Sequence, residues 1–335
     1  MKKRLILVLG VGILLILLLT IAFGERFQVE KEDDLQQETS SNSSMSGEKQ
    51  QVVKEGFSNQ QMQGTLPSSE VEQIFQRKGS LQGEVFKLTF PRTDLNVKVR
   101  DVIIEPELAL SSWVAFKPMG DKTMMMGDLV LLEKELDPVT AKLTASGVEI
   151  TALHNHLINE FPRIIYTHFS GHGDATKLSG ALKEALSLTG TPIPATEPAS
   201  SSEKVDWSKI ESLIGRLGNH NNNILQFSIP RAETITDHKL DVHGIEIPPS
   251  MGTATAINFQ MVEKKVVSTG DFVLIDKEID SVTRILKEKR ITVTALHNHM
   301  TYDNPRLFFL HFWAYDEPEV VAKALKSALN KTNSK

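Results

Sequence analysis

Three histidines in each half of this chain are spaced as metal ligands or catalytic groups would be. His154 and His156 flank Asn155, and His168 follows twelve residues on; His297, Asn298, His299 and His311 repeat the arrangement 143 residues later. His-x-His at a strand end puts two imidazoles on one face, roughly 7 Å apart along the strand. Neutral imidazole suits zinc, copper, nickel and iron, and three protein ligands with an open position make a catalytic zinc site. The expected cofactor is a divalent transition metal such as zinc, with His154, His156, His168, His297, His299 and His311 as ligands. A second reading needs no metal: His and Asn cap the open end of a hairpin, and His154 is a satisfied core residue. Both stay open here. A regular hairpin pairs His168 near position 151, and only a bulge or a longer loop brings it to His156.

The duplication is a filter on these residues. HNHLINEFPRIIYTHF (154–169) and HNHMTYDNPRLFFLHF (297–312) keep His, Asn, Pro-Arg and His-Phe, while Ile164, Ile165 and Tyr166 become Leu307, Phe308 and Phe309. Apolar positions that need only volume tolerate such swaps; polar positions that do not drift need another reason. Asn155, Asn298, Arg163 and Arg306 therefore join the candidates for ligand binding, as do Asp128 and Asp271, either of which could serve as general base or carboxylate ligand. Arg92 and Arg231 could bind an anion through the planar guanidinium fork. Glu135, Asp137, Glu278 and Asp280 read as helix capping. The run Met124–Met126 meets Val266, Val267 and Ser268 in the second copy, and His172 meets Tyr315, so strand packing explains the first and the second is no essential ligand.

These side chains need a scaffold, and the pattern supplies one twice. Residues 127–156 and 270–299 align without a gap, identical at 16 of 30 positions. Ser69-x-x-Glu72 and Ser208-x-x-Glu211 read as capping boxes opening a short helix. Strands are expected over 84–90, 95–104, 112–116 and 123–132. A helix capped by Asp137-Pro138 follows and ends at Gly147. A strand over 148–153 puts Val148, Ile150, Ala152, His154 and His156 on one face. Its neighbour runs antiparallel over 163–169, and amphipathic helices at 174–187 and 317–329 close the units. The expected fold class is α+β, an antiparallel sheet backed by helices, used in tandem.

Around the repeats the composition changes. Lys2-Lys3-Arg4 precedes Leu5–Phe23, nineteen residues without a charge, which predicts a membrane-spanning anchor or a signal peptide with the repeats outside the cytoplasm. The expected organisation is an anchor over 1–24, a stalk over 25–67, repeats over 68–188 and 208–330, and a linker over 189–207. The stalk and linker are rich in Gln, Ser, Thr, Pro and Glu. No cysteine occurs in the 335 residues, which excludes thiolate ligands, cysteine nucleophiles, disulfides and a lipobox. A net charge of −5 without a basic, aromatic-interleaved stripe argues against nucleic acid as a partner. No GxSxG, Walker loop or HExxH is present.

The block from Gly127 to Phe169 and its second copy resemble the LppY/LpqO family of bacterial exported proteins, with its ALHNH…PR…H-[FY] signature. That resemblance implies an envelope location and brings no substrate or reaction. Three functions fit: an extracytoplasmic protein binding a ligand or metal at each His-Asn-His hairpin, a metal-dependent hydrolase of an envelope or extracellular substrate, or a structural or adhesive module.

Overall fold

The computed structural model describes residues 66–194 and 205–335. The Leu5–Phe23 segment and nearly all of the stalk lie outside the described residues, and among those described no helix is long and apolar enough to cross a membrane. The first repeat runs α1 (Ser68–Phe75), β1 (Ser80–Gln82), β2 (Val85–Pro91), β3 (Val97–Val99), β4 (Val102–Ile104), α2 (Pro106–Ala109), β5 (Ser111–Met119), β6 (Lys122–Leu132), α3 (Glu133–Ala145), β7 (Glu149–His154), β8 (Glu160–Phe161), β9 (Ile164–Gly173) and α4 (Ala175–Leu186). The second runs α5 (Ser208–Ile214), β10 (Asn219–Asn221), β11 (Ile224–Pro230), β12 (Thr236–Asp237), β13 (Ile245–Glu246), a 3-10 turn (Pro249–Met251), β14 (Ala254–Val262), β15 (Lys265–Leu274), α6 (Asp276–Glu288), β16 (Thr292–His297), β17 (Asp303–Asn304), β18 (Phe308–Asp316) and α7 (Pro318–Leu329).

Each repeat is built on an antiparallel six-stranded sheet, in the orders β1-β2-β5-β6-β9-β7 and β10-β11-β14-β15-β18-β16, with a small three-stranded sheet beside it, β4-β3-β8 and β13-β12-β17. The two faces of each sheet have different partners. Odd positions of β6 such as Met125, Leu129 and Leu131 pack under the repeat's own helices with Leu143, Leu178 and Leu182. Even positions of the same strand, Met124 and Met126, instead join Val273, Met300, Leu307 and Phe309 of the other repeat. Val130 and Tyr166 likewise pack with Ile224 and Val267. Val130/Val273, Met124/Val267 and Tyr166/Phe309 are counterparts at the 143-residue offset, so the two apolar patches exchange roles, as a pseudo-twofold arrangement of the sheets demands. The methionine run is buried strand packing.

Several local expectations need correction. The 95–104 strand is broken into β3 and β4 by Arg100, whose φ of 54° turns the chain into a hairpin. The helix expected from Asp137 begins at Glu133, because Glu135 Oε2 accepts from Leu132 N at 2.9 Å and caps it five residues earlier. Pro138 lies inside the helix, past its first turn, and forgoes the intrahelical bond its amide would make to the Lys134 carbonyl. The Ser-x-x-Glu boxes do not form. Glu72 and Glu211 reach forward instead, accepting from Gly79 N at 3.0 Å and Gly218 N at 2.8 Å, and so tie the first helix of each repeat to its edge strand. Gly147 (φ 77°) stands as expected, and the closing helix of the first repeat is capped by Asp174, whose Oδ1 accepts from Lys177 N at 2.9 Å.

Candidate functional site

A bulge decides where the histidines point. β7 pairs Ile150 with Phe169, but the register then shifts so that Ala152 pairs with His168 and His154 with Tyr166. The second repeat shifts in the same way between Val293 and Ala295. One inserted residue moves every later side chain to the opposite face. Val148 and Ile150 therefore pack under their own helices, while Ala152 and His154 turn toward the other repeat. The single continuous face expected from Val148 to His156 does not exist. Thr151 and Thr294 are the extra residues, and Thr294 also joins the repeats: its Oγ1 donates to His156 O at 2.5 Å, and its carbonyl accepts from Asn155 Nδ2 at 3.2 Å.

Those bulges bring six histidines from both repeats into one cluster. His154 stacks on His297 with ring centroids 3.7 Å apart, His168 on His299 at 3.7 Å, and His156 on His311 at 4.0 Å. The first pair joins counterparts across the pseudo-twofold; the other two pairs exchange under it. Ring nitrogens of His154, His297, His299 and His311 lie within 4.8 Å of one another, and so do those of His154, His156 and His168. The two hairpins thus place their histidines in one cluster, not in two separate ones. His156 is backed by Tyr166 at 3.4 Å and His299 by Phe309 at 3.5 Å.

The hydrogen bonding is lopsided. The Nδ1 atoms of His154, His297 and His311 face the carbonyls of Asn155, Asn298 and Gly270 at 3.2–3.4 Å. The Nε2 atoms of all six are buried without a partner. A carbonyl on Nδ1 favours the tautomer in which Nε2 carries a lone pair, the arrangement metal-binding histidines use. Six buried ring nitrogens without a hydrogen-bond partner each cost desolvation without return. They are the strongest polar anomaly among the described residues.

Burial, then mutual repulsion, holds the imidazoles neutral. His154 is lowered to about 3 by desolvation and by His297; desolvation and the neighbouring imidazoles lower His156, His168, His299 and His311 well below the usual range, and burial lowers His297. Two buried carboxylates accompany them. Asp128, paired with His168 in the sheet, places Oδ2 3.7 Å from His168 Nε2 and 3.9 Å from His156 Nε2. Burial raises its pKa, and burial raises that of Asp271 to about 7. The glycines before them are required by packing: a Cβ on Gly127 would collide with the Phe169 ring and the Trp113 carbonyl, and one on Gly270 with the Ala256 carbonyl.

Other candidates have structural duties. Asn155 Nδ2 donates to Leu157 O as well as Thr294 O, and Asn298 Nδ2 to Leu307 O at 2.5 Å, so both amides brace hairpins. Arg163 is exposed beside Glu133 at 4.0 Å, and Arg306 bonds Asp303 and Thr301 O at the surface. None of the four lines the cavity described next. Arg92 and Arg231 are buried, not anion sites: Arg92 forks onto Glu135 at 2.9 and 3.1 Å and onto Asp94, and Arg231 onto Glu278 at 2.7 and 3.1 Å and onto Glu233. His172 stands outside both groups of clustered ring nitrogens.

A cavity of about 720 Å³ leads to the cluster, with Asp128, His156, His168, Asp271, His299 and His311 in its walls. Lys78, Gly79, Ser80 and Gln82 border it from the first repeat and Leu217 and Asn219 from the second. Lys87, Trp113 and Tyr166 also line it, and the sequence reading missed all three. Lys87 sits on β2 between the buried Phe86 and Leu88, and such alternation reads as solvent on one side until that side is known to face a second sheet.

A family model described as "Domain of Unknown Function (DUF1259)" matches residues 69–188 and 208–331. The chain belongs to this family. Its two matches cover both halves of the histidine cluster, so the family's domain occurs here as a tandem pair. No curated protein matches. Among solved structures, similarity is found to a double-ringed trimeric shell protein from the RMM microcompartment, at 9% identity over 73% of this chain and 92% of that one, TM-score 0.19. The trimeric bacterial microcompartment shell protein PduB matches at 10% identity over 75% and 88%, TM-score 0.18. EtuB from Clostridium kluyveri matches at 10% over 76% and 90%, TM-score 0.18. Superpositions that loose carry no argument about this molecule.

Proposed function

We propose that the tandem repeats form one metal centre, holding at least one divalent transition ion such as zinc per chain. Its ligands are drawn from His154, His156, His168, His297, His299 and His311, with Asp128 and Asp271 beside them. The observation that carries this is the set of six buried Nε2 atoms with no partner, converging from two repeats. Imidazole without thiolate suits zinc, copper, nickel or iron over calcium or magnesium. Asn155, Asn298 and Arg306 brace the scaffold in this reading, and Arg163 is a surface group. The Lys-rich start and apolar 5–23 segment support a membrane-anchored, extracytoplasmic protein of the LppY/LpqO type with no nucleic-acid partner.

The test is metal analysis of the full-length chain, purified without a polyhistidine tag and reconstituted separately with zinc, copper, nickel and iron. At least one equivalent of one metal is expected, and a large loss in the His154→Ala/His297→Ala double variant. Substoichiometric uptake of every metal would sink the proposal.

A hydrolase built on the same centre is the second reading, favoured by the carboxylate of Asp128 beside two histidines and by the cavity reaching them. A bound ion would acidify water and polarise a substrate oxygen, while Asp128 would hold the proton. Asp128→Asn is then expected to retain metal and lose turnover of envelope esters or amides; unchanged turnover in that variant removes Asp128 from the chemistry.

A further inference from the structure

The internal symmetry that builds the histidine cluster is broken in the cavity beside it. β2 and β11 align Lys87 with Gln226 and Thr89 with Ser228, and β5 and β14 align Trp113 with Ala256 and Ser111 with Ala254. All eight line the cavity. The first repeat thus contributes a cation and an indole where the second contributes an amide and a methyl group. The small Ala256 leaves open space where its counterpart, an indole, would fill it.

Lys87 is not consumed by the carboxylates near it. Its Nζ makes one hydrogen bond, to Ser250 O at 3.2 Å, and lies 4.1 Å over the Trp113 ring; no ion pair ties it to Asp128 or Asp271. The other lysine in the cavity wall, Lys78, is paired with Glu72 at 2.7 Å. The ammonium of Lys87 therefore has donors to spare, with the hydroxyls of Thr89 and Ser228 in the same cavity. Six neutral imidazoles leave the charge of a divalent ion to two carboxylates, and Lys87 adds a further positive charge. A cation with free donors and a metal site in one cavity together match an oxyanion, which can bond a donor at one oxygen and face a metal with another.

We propose that the cavity binds an oxyanion-bearing ligand, phosphate or carboxylate, anchored by Lys87 against the histidine centre. This rests on the metal reading, and the experiment separates the two. Full-length, metal-reconstituted protein is titrated calorimetrically with inorganic phosphate and, separately, with acetate; Lys87→Gln and Lys87→Arg are titrated alongside. Gln226 holds the equivalent position in the second repeat, so Lys87→Gln is compatible with the fold and should keep its metal content. Binding of either anion is expected, weakened about tenfold or more in Lys87→Gln and largely kept in Lys87→Arg. A preference for phosphate assigns a tetrahedral ligand, and a preference for acetate a planar one. Metal-loaded protein that binds neither anion, or Lys87→Gln binding as tightly as wild type, overturns the inference while leaving the metal centre standing. If Lys87→Gln loses its metal, Lys87 is part of the metal site's support and the inference is equally overturned. Failure to load metal in the wild type defeats the earlier proposal instead.

Discussion

Arg92→Ala is expected to cost about 3–5 kcal/mol of stability, and Arg231→Ala the same, whereas Arg163→Ala should cost less than about 0.5 kcal/mol. All three arginines follow a proline and each has a counterpart in the other repeat, yet Arg92 and Arg231 are buried and Arg163 lies on the surface. Arg92 is fully buried. Its guanidinium bonds Val130 O, both oxygens of Glu135 and both of Asp94. Glu135 in turn accepts from Leu132 N and Gly190 N, so a single fork ties the end of β2 to β6, to the start of α3 and to the chain leaving the repeat. Arg231 does the same with Val273 O, Glu278 and Glu233, and Glu278 accepts from Asn333 N.

Truncating one partner of such a network leaves a buried carboxylate without its counter-charge, and that residual charge makes up most of the expected cost. Arg163 has no such debt, since its nearest acid is Glu133 at 4.0 Å on the surface. Urea denaturation of the three variants checks the contrast. A loss under about 1 kcal/mol for both Arg92→Ala and Arg231→Ala would return these residues to the pool of ligand-binding candidates.

The duplication was a good filter for retained polar residues and a poor guide to their duties. Pro-Arg at 91–92 and at 162–163 looks alike in the chain, and only burial separates a clasp from a surface group. The order of strands and helices was legible because alternation and amphipathic spacing are local. The helix start was misplaced because Asp137-Pro138 is a strong local cap signal, overridden by Glu135, which is engaged by Arg92 more than forty residues away. The hairpin was read with the wrong face because one extra residue at Thr151 leaves no mark on hydropathy. The pairing of the repeats was invisible for a related reason. Asp128 and His168 sit on a face that reads as wet and are buried only because the second copy covers it, and Lys87 on the same face lines the cavity.

The metal-free protein is expected to lose stability steeply as pH falls below about 6.5, and added metal to offset the loss. Burial and mutual repulsion lower the six clustered histidines below their unfolded value of about 6.5, His154 to about 3. A base with a depressed folded pKa is neutral in both states above that pH. Below it the unfolded chain takes up protons that the folded chain refuses, so stability falls. Asp128 and Asp271 oppose this trend. Both are raised by burial, Asp271 to about 7, so the folded chain holds their protons at a pH where the unfolded chain has lost them, which favours the folded state toward low pH. Six histidines against two carboxylates leave up to about four protons taken up on unfolding, and at about 1.4 kcal/mol per proton per pH unit the slope is bounded near ~5 kcal/mol per pH unit. A bound divalent ion adds RT ln(1 + [M]/Kd), about 4 kcal/mol at a thousandfold excess over Kd, and loses that gain in acid as protons compete for the same Nε2 atoms. Denaturation midpoints at pH 7.5, 6.5 and 5.5, with chelator and with zinc, read both effects. A chelated protein equally stable at pH 7.5 and 5.5 would mean that the imidazoles are not held neutral. A zinc effect that persists undiminished at pH 5.5 would place the ion away from them.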